Sequence, residues 1–158
     1  MLTAKRARKL VRVLLIFNGI LTLLALPAVF LPTSTMESMH QRLGIGPFPE
    51  GPIVQYLARS AAGLYAAFGL MTLVLAYDID RFSPLVTWWG LTAIAFGAIM
   101  FWVDHVAKMP AHWTWGEGPY LFLTGLLVLV AQGITRRTQT GTGSDIGGYR
   151  GSSEADVS

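Results

Sequence analysis

The chain has 158 residues, of which 53% are hydrophobic and 13% charged, with a formal net charge of +3 and no cysteine. A soluble domain carries about twice that charged fraction, and the missing thiols exclude disulfides, thiolate catalysis, iron–sulfur clusters and cysteine-held zinc. Nucleic-acid binding is not expected either, because no soluble surface interleaves basic residues with stacking aromatics.

Residues 1–9 form a basic lead containing Lys5, Arg6, Arg8 and Lys9, with Arg12 just behind them. Four apolar runs follow, at about 10–31, 53–77, 85–104 and 118–134. Each is about twenty residues, the length that crosses a hydrocarbon core of roughly 30 Å at 1.5 Å rise per residue. Backbone groups in lipid must be satisfied within their own segment, so these runs are expected as helices; they lack the alternation of barrel strands. The fold class read from them is an all-α membrane protein, a left-handed antiparallel four-helix transmembrane bundle over residues 10–137. A signal peptide also begins with a basic stretch, but this first run is longer than a signal core and Pro27 disrupts the small-residue exit near Ala25–Ala28. It is read as an uncleaved span that Pro27 kinks or ends.

From Pro32 to Pro52 an external loop is expected, with Gly44, Gly46, Pro47, Pro49 and Gly51 preventing regular structure. After the second span, Asp78 to Pro84 makes a tight turn, and Pro84 suits the first turn of the next helix. Lys108–Glu117 is expected as a second outer loop, and 138–158, rich in Gly, Ser and Thr, as a disordered tail. The string Glu50-Gly51-Pro52 ahead of the second span is echoed by Glu117-Gly118-Pro119 ahead of the fourth. Duplication is one explanation; a shared need for an acidic group and an early proline at a helix start is the simpler one.

Basic residues cluster around the N-terminus, Arg81, Arg136 and Arg137, against only Arg42, Arg59 and Lys108 on the opposite side. This bias places both termini in the cytoplasm and gives the basic side anionic lipid headgroups as partners. Trp88 and Trp89 are expected at the inner interface, and Tyr56, Trp102, Trp113, Trp115 and Tyr120 toward the outer one.

Arg59 lies 22 residues before Arg81 and Asp104 lies 23 after it, so a hairpin sets both about 33 Å from the bend. Arg59, Ala62, Gly63, Ala66 and Gly69 form one small-residue stripe; Gly90, Ala93, Gly97, Met100 and Asp104 form another. Small residues let membrane helices approach, so the two stripes are expected to pack together and Arg59 to pair with Asp104. The pair reads either as a structural lock or as an anion- or headgroup-binding arginine positioned by Asp104. His40, His105 and His112 share the outer side with Asp104, Glu50 and Glu117, but none has the i,i+4 spacing of a helical metal site, so no metal is expected. Asn18, inside the first span, and Gln132, near the inner end of the fourth, read as interhelical hydrogen-bonding groups. No Asp, Glu, Lys or His lies near mid-membrane, which disfavours ion-driven transport and buried acid–base chemistry.

Three strings carry a resemblance: A-R-S-A-A-G-L-Y at Ala58–Tyr65, Y-D-I-D-R-F-S-P-L-V at Tyr77–Val86 and W-V-D-H at Trp102–His105. Over about Tyr56–Val130 the chain resembles small bacterial four-helix membrane proteins of the DoxX-like and BphX-like kind. The resemblance implies an inner-membrane protein, with some relatives associated with respiratory or catabolic enzyme systems, and transfers no functional residues. Two functions follow as expectations, beside a third, an integral membrane enzyme with His105 or His112 as acid–base group, that no spacing supports. One is a non-enzymatic accessory or scaffold protein, self-associating or joined to a partner membrane subunit, with no cofactor. The other is a lipid- or quinone-binding or transport protein with an outer-leaflet site around Arg59 and Asp104, joined by His105, His112 and Glu117. Gly63 and Gly97, with Asn18, are expected to hold the bundle together.

Overall fold

A computed structural model describes residues 3–144, with side chains to Arg136. All of its elements are helical: α1 (Ala4–Leu23), a 3-10 turn (Leu26–Val29), α2 (Thr33–Arg42), α3 (Pro52–Tyr77), α4 (Ser83–Val106), α5 (Ala111–Gly116) and α6 (Gly118–Ser144). Four stretches are long and apolar enough to cross a membrane: Ala4–Val29, Pro52–Tyr77, Ser83–Val106 and Ala111–Arg136. Leu64, Met71, Ile99, Leu123 and Val130 point outward with half or more of their surface uncovered. A water-soluble bundle would bury such residues; here acyl chains are the solvent.

The elements depart from the sequence reading at several points. The basic lead is not separate from the first span, because α1 is already helical at Ala4 and breaks after Leu23, ahead of Pro27. The expected loop 32–52 holds a ten-residue helix, α2. Gly44 does not prevent that helix; it ends it. At φ +69° it accepts the left-handed geometry, and the Gly44 and Ile45 N–H groups donate back to the Gln41 and His40 carbonyls. Glu37 then fastens the following segment, accepting from the Phe48 N–H at 2.6 Å. The second outer loop likewise contains α5. The helix of α6 continues over 138–144, where disorder is expected; the rest of the expected tail lies outside the described residues.

Prolines act as read: Pro52, Pro84 and Pro119 each sit in the first turn of a long helix, where no hydrogen bond is lost. α4 ends on a non-glycine version of the same device as α2. Lys108 adopts φ +55°, and the Met109 and Lys108 N–H groups donate to the Asp104 and His105 carbonyls.

Packing follows the small residues, but not between the helices that the chain order suggests. α1 packs on α3, α4 on α6, and α1 on α6, while α3 and α4 make little contact along their length. The two stripes are real contact faces directed at other partners. A Cβ on Gly69 would come within 2.7 Å of the Gly19 carbonyl on α1, and one on Gly97 within 2.6 Å of the Phe122 amide on α6. Gly118 and Gly125 meet Gly97 and Gly90 from the α6 side, in antiparallel register. Gly63 is not such a crossing point, for its nearest neighbour is Val29 at 3.9 Å.

The core lies toward the end where Arg8 and Arg136 gather, built from Val11, Leu15, Ala76, Val86, Trp89 and Val128. There Arg8 pairs with Asp80 at 3.3 Å. Gln132 donates to the Ser83 carbonyl at 2.9 Å and accepts from the Thr87 hydroxyl at 2.8 Å, the interhelical role expected of it. Trp89 is not an interface anchor: it is buried, and its indole N–H donates to the Thr72 hydroxyl at 3.0 Å, tying α4 to α3. Trp88 beside it is exposed.

Candidate functional site

Beyond the Trp89–Thr72 bond, α3 and α4 leave a cleft of about 460 Å³ between them. Ala61, Leu64, Tyr65 and Phe68 of α3 form one wall, and Thr92, Ala93 and Phe96 of α4 the other. Asn18 and Thr22 of α1, with Leu121 of α6, close the back. The volume falls within the range of about 300–1,000 Å³ typical of small-molecule sites. Its lining is apolar because the hydroxyls are turned to their own helices: Thr22 donates to the Asn18 carbonyl, and Thr92 to those of Trp88 and Trp89.

Asn18 is the exception. It is 1% exposed, and its side-chain oxygen has no hydrogen-bond partner. The interhelical bond expected of it does not form. A buried amide oxygen without a partner is costly, and such a group beside a cavity is an informative irregularity in a native fold.

Arg59 and Asp104 do not pair. Among the described residues no ion pair forms at either one. Arg59 turns toward the end of the first span, donating to the Val29 carbonyl at 2.6 Å and the Leu31 carbonyl at 2.9 Å. A guanidinium fork is well shaped to collect the carbonyls that the 3-10 turn leaves open, and its charge suits that negative dipole end. Equal depth put the two residues at one level, but the separation of α3 from α4 keeps them apart.

Asp104 is 3% exposed, and its Oδ2 is buried without a partner. Glu117 and Tyr65 lie within electrostatic range of its carboxyl, which makes the three one electrostatic group. Glu117 is half-buried and accepts the Trp113 indole N–H at 2.6 Å. Tyr65 belongs to this group and to the cleft wall together. His105 and His112 are exposed. His40 packs edge-on against Phe48. Among the described residues no group of three or more His, Asp or Glu side chains is arranged to hold a metal ion.

Of the residues singled out from sequence, Glu117 lies within electrostatic range of Asp104, Arg59 turns to the first span, and His105 and His112 are exposed. Tyr65, Phe68, Thr92 and Phe96 were missed, because in sequence a cleft-lining aromatic is indistinguishable from a lipid-facing one. Four spans with a laterally open cleft define the class: a multi-pass helical membrane protein. Compared with known proteins, the chain matches no family model, no curated protein and no solved structure.

Proposed function

We propose that this protein is a non-enzymatic component of a bacterial inner membrane that holds one membrane-soluble molecule in the cleft between α3 and α4. The observation that carries the reading is the cleft itself: a cavity of about 460 Å³, walled by apolar side chains, with the unpartnered Asn18 amide at its back. A packing defect would have no use for a buried amide. A ligand with one polar atom on an apolar body satisfies both features. An accessory role within a larger complex is compatible with this. A purely structural scaffold gains less support, because the close-approach glycines of α1, α3, α4 and α6 already face one another inside the bundle. They are not free to receive a partner helix.

The orientation proposed, both termini cytoplasmic, rests on Lys5, Arg6, Arg8, Lys9, Arg12 and Arg81 lying toward one side of the membrane with Arg136. Affiliation with DoxX-like proteins is proposed on the three strings at Ala58–Tyr65, Tyr77–Val86 and Trp102–His105.

Native mass spectrometry of the protein released from its own membrane tests the reading. The wild type is expected to carry an additional small-molecule mass, and Ala61→Trp, which projects an indole into the cleft from an exposed position on α3, to lose it. If the two proteins fly with the same adducts, the cleft is not a binding site. A fluorescent-protein fusion after Ser158 tests orientation; fluorescence confirms the cytoplasmic side, and its absence alongside an active periplasmic reporter refutes it.

A further inference from the structure

We infer that the molecule held between α3 and α4 is an uncharged single-chain lipid alcohol, with its hydroxyl at the Asn18 amide halfway across the membrane. This rests on the reading of the cleft as a binding site and adds the chemical class of what it binds.

Depth sets the first limit. The cleft-lining residues of α3 fall within 61–68, the middle of the span Pro52–Tyr77, and those of α4 within 92–96, the middle of Ser83–Val106. Asn18 lies within one helical turn of the middle of Ala4–Val29. The cleft is therefore at the centre of the hydrocarbon, where a charged group is most expensive. Among the described residues no Asp, Glu, Lys, Arg or His lines it to offset such a charge. Phospholipid headgroups, fatty-acid anions and protonated amines are disfavoured on both counts.

Hydrogen bonding sets the second limit. Asn18 lines the cleft, is 1% exposed, and its side-chain amide has no hydrogen-bond partner among the described residues. Its Oδ1 is enclosed in this rotamer, and a half-turn about Cβ–Cγ exchanges it with Nδ2. Thr22 and Thr92 have given their protons to backbone carbonyls, so their oxygens can only accept. A hydroxyl donates to such acceptors and also accepts from the amide N–H. A ketone or an ester only accepts, and leaves them unused.

Size sets the third. A cavity of about 460 Å³ equals about fifteen water volumes of roughly 30 Å³ each, room for about fifteen heavy atoms of one chain but not for two acyl chains. Leu64, Phe68 and Phe96 line the cleft and are exposed, so the molecule enters sideways from the bilayer and a longer tail stays among the acyl chains.

The test uses the full chain in phosphatidylcholine nanodiscs at neutral pH, with radiolabelled hexadecanol, hexadecane, methyl hexadecyl ether and palmitate, each corrected for empty discs. From the net contribution of one hydrogen bond, the wild type is expected to hold hexadecanol roughly two- to ten-fold more tightly than hexadecane. The ether, which has no proton to donate, and palmitate, which is charged, are expected to bind less tightly than hexadecanol. Asn18→Leu is expected to bind hexadecanol and hexadecane alike, and Ala61→Trp to bind neither. Should Asn18→Leu fail to fold, the comparison of alcohol with ether on the wild type decides alone. Equal binding of hexadecanol and hexadecane, or binding of the ether or palmitate as tight as that of the alcohol, overturns the alcohol assignment while leaving the cleft intact. Binding of no probe, or binding that Ala61→Trp leaves unchanged, overturns both.

Discussion

Replacing Gly97 by alanine tests the packing on which the whole arrangement depends. A Cβ there would stand 2.6 Å from the Phe122 amide nitrogen and 2.7 Å from the Gly118 carbonyl oxygen. Both are backbone atoms of α6 and cannot swing away, so α4 and α6 must separate until the contact reaches at least 3.4 Å, a shift of about 0.8 Å. A gap of 0.5–1 Å forfeits roughly a quarter to a half of each contact's dispersion energy, and overpacking of this kind costs about 1–3 kcal/mol. Alanine recovers about 0.5–1 kcal/mol of helix propensity, leaving a net loss of about 1–2 kcal/mol. Gly63→Ala is the matched control, because its Cβ meets only Val29 at 3.9 Å and is expected to be neutral or slightly stabilising. Reversible unfolding in mixed micelles, followed by tryptophan fluorescence, measures both. A loss of that size lowers the folded-to-unfolded ratio about 5- to 30-fold. If Gly97→Ala shifts the transition no more than Gly63→Ala, the close approach of α4 and α6 is wrong.

Arg59→Lys is expected to lose about 1–2 kcal/mol of stability, since an ammonium cannot span the Val29 and Leu31 carbonyls together; a double-mutant cycle with Asp104→Asn should give a coupling energy near zero, and a coupling above about 1 kcal/mol would restore the ion pair. Asn18→Leu removes a buried amide without a partner and is expected to leave thermal stability unchanged or raised while abolishing the co-purifying mass; a clear drop in stability would show that the amide is satisfied. Lys108→Gly relieves a left-handed backbone and should stabilise the protein by about 0.5–1 kcal/mol, read from the same unfolding midpoint. Thr72→Val removes the acceptor of the buried Trp89 indole N–H at nearly constant volume, so a loss of about 1–3 kcal/mol is expected, read from the same unfolding midpoint.

The spans were legible because lipid allows few alternatives: a long apolar run must be a helix, and Pro52, Pro84 and Pro119 mark where three of them start. Gly44 shows how a correct signal leads to a wrong element. It was read as a breaker when it is the left-handed residue that closes α2, whose polar sequence gave little periodicity to announce it. Small residues identified the contact faces but carried no information on their partners. Chain adjacency suggested α3 against α4, whereas Gly69 and Gly97 each found a glycine elsewhere. The same assumption produced the Arg59–Asp104 pair, whereas Arg59 turns to the Val29 and Leu31 carbonyls. Trp88 and Trp89 are one residue apart and about 100° around a helix, so one faces out and the other in; only the position of Thr72 decides which. The cleft could not be read at all, since an unfilled space leaves no residue pattern of its own.

Because α3 and α4 are neighbours in the chain but pack closely on other helices, the order of synthesis and the order of assembly differ. The first two spans can dock as soon as both have left the ribosome. The glycine face of the third has to wait in the bilayer for the fourth span, which is made after it. A premature stop after Val106 therefore strands an adhesive helix face among lipids, exposed to any other small-residue helix it meets and to the proteases that survey the membrane for such orphans.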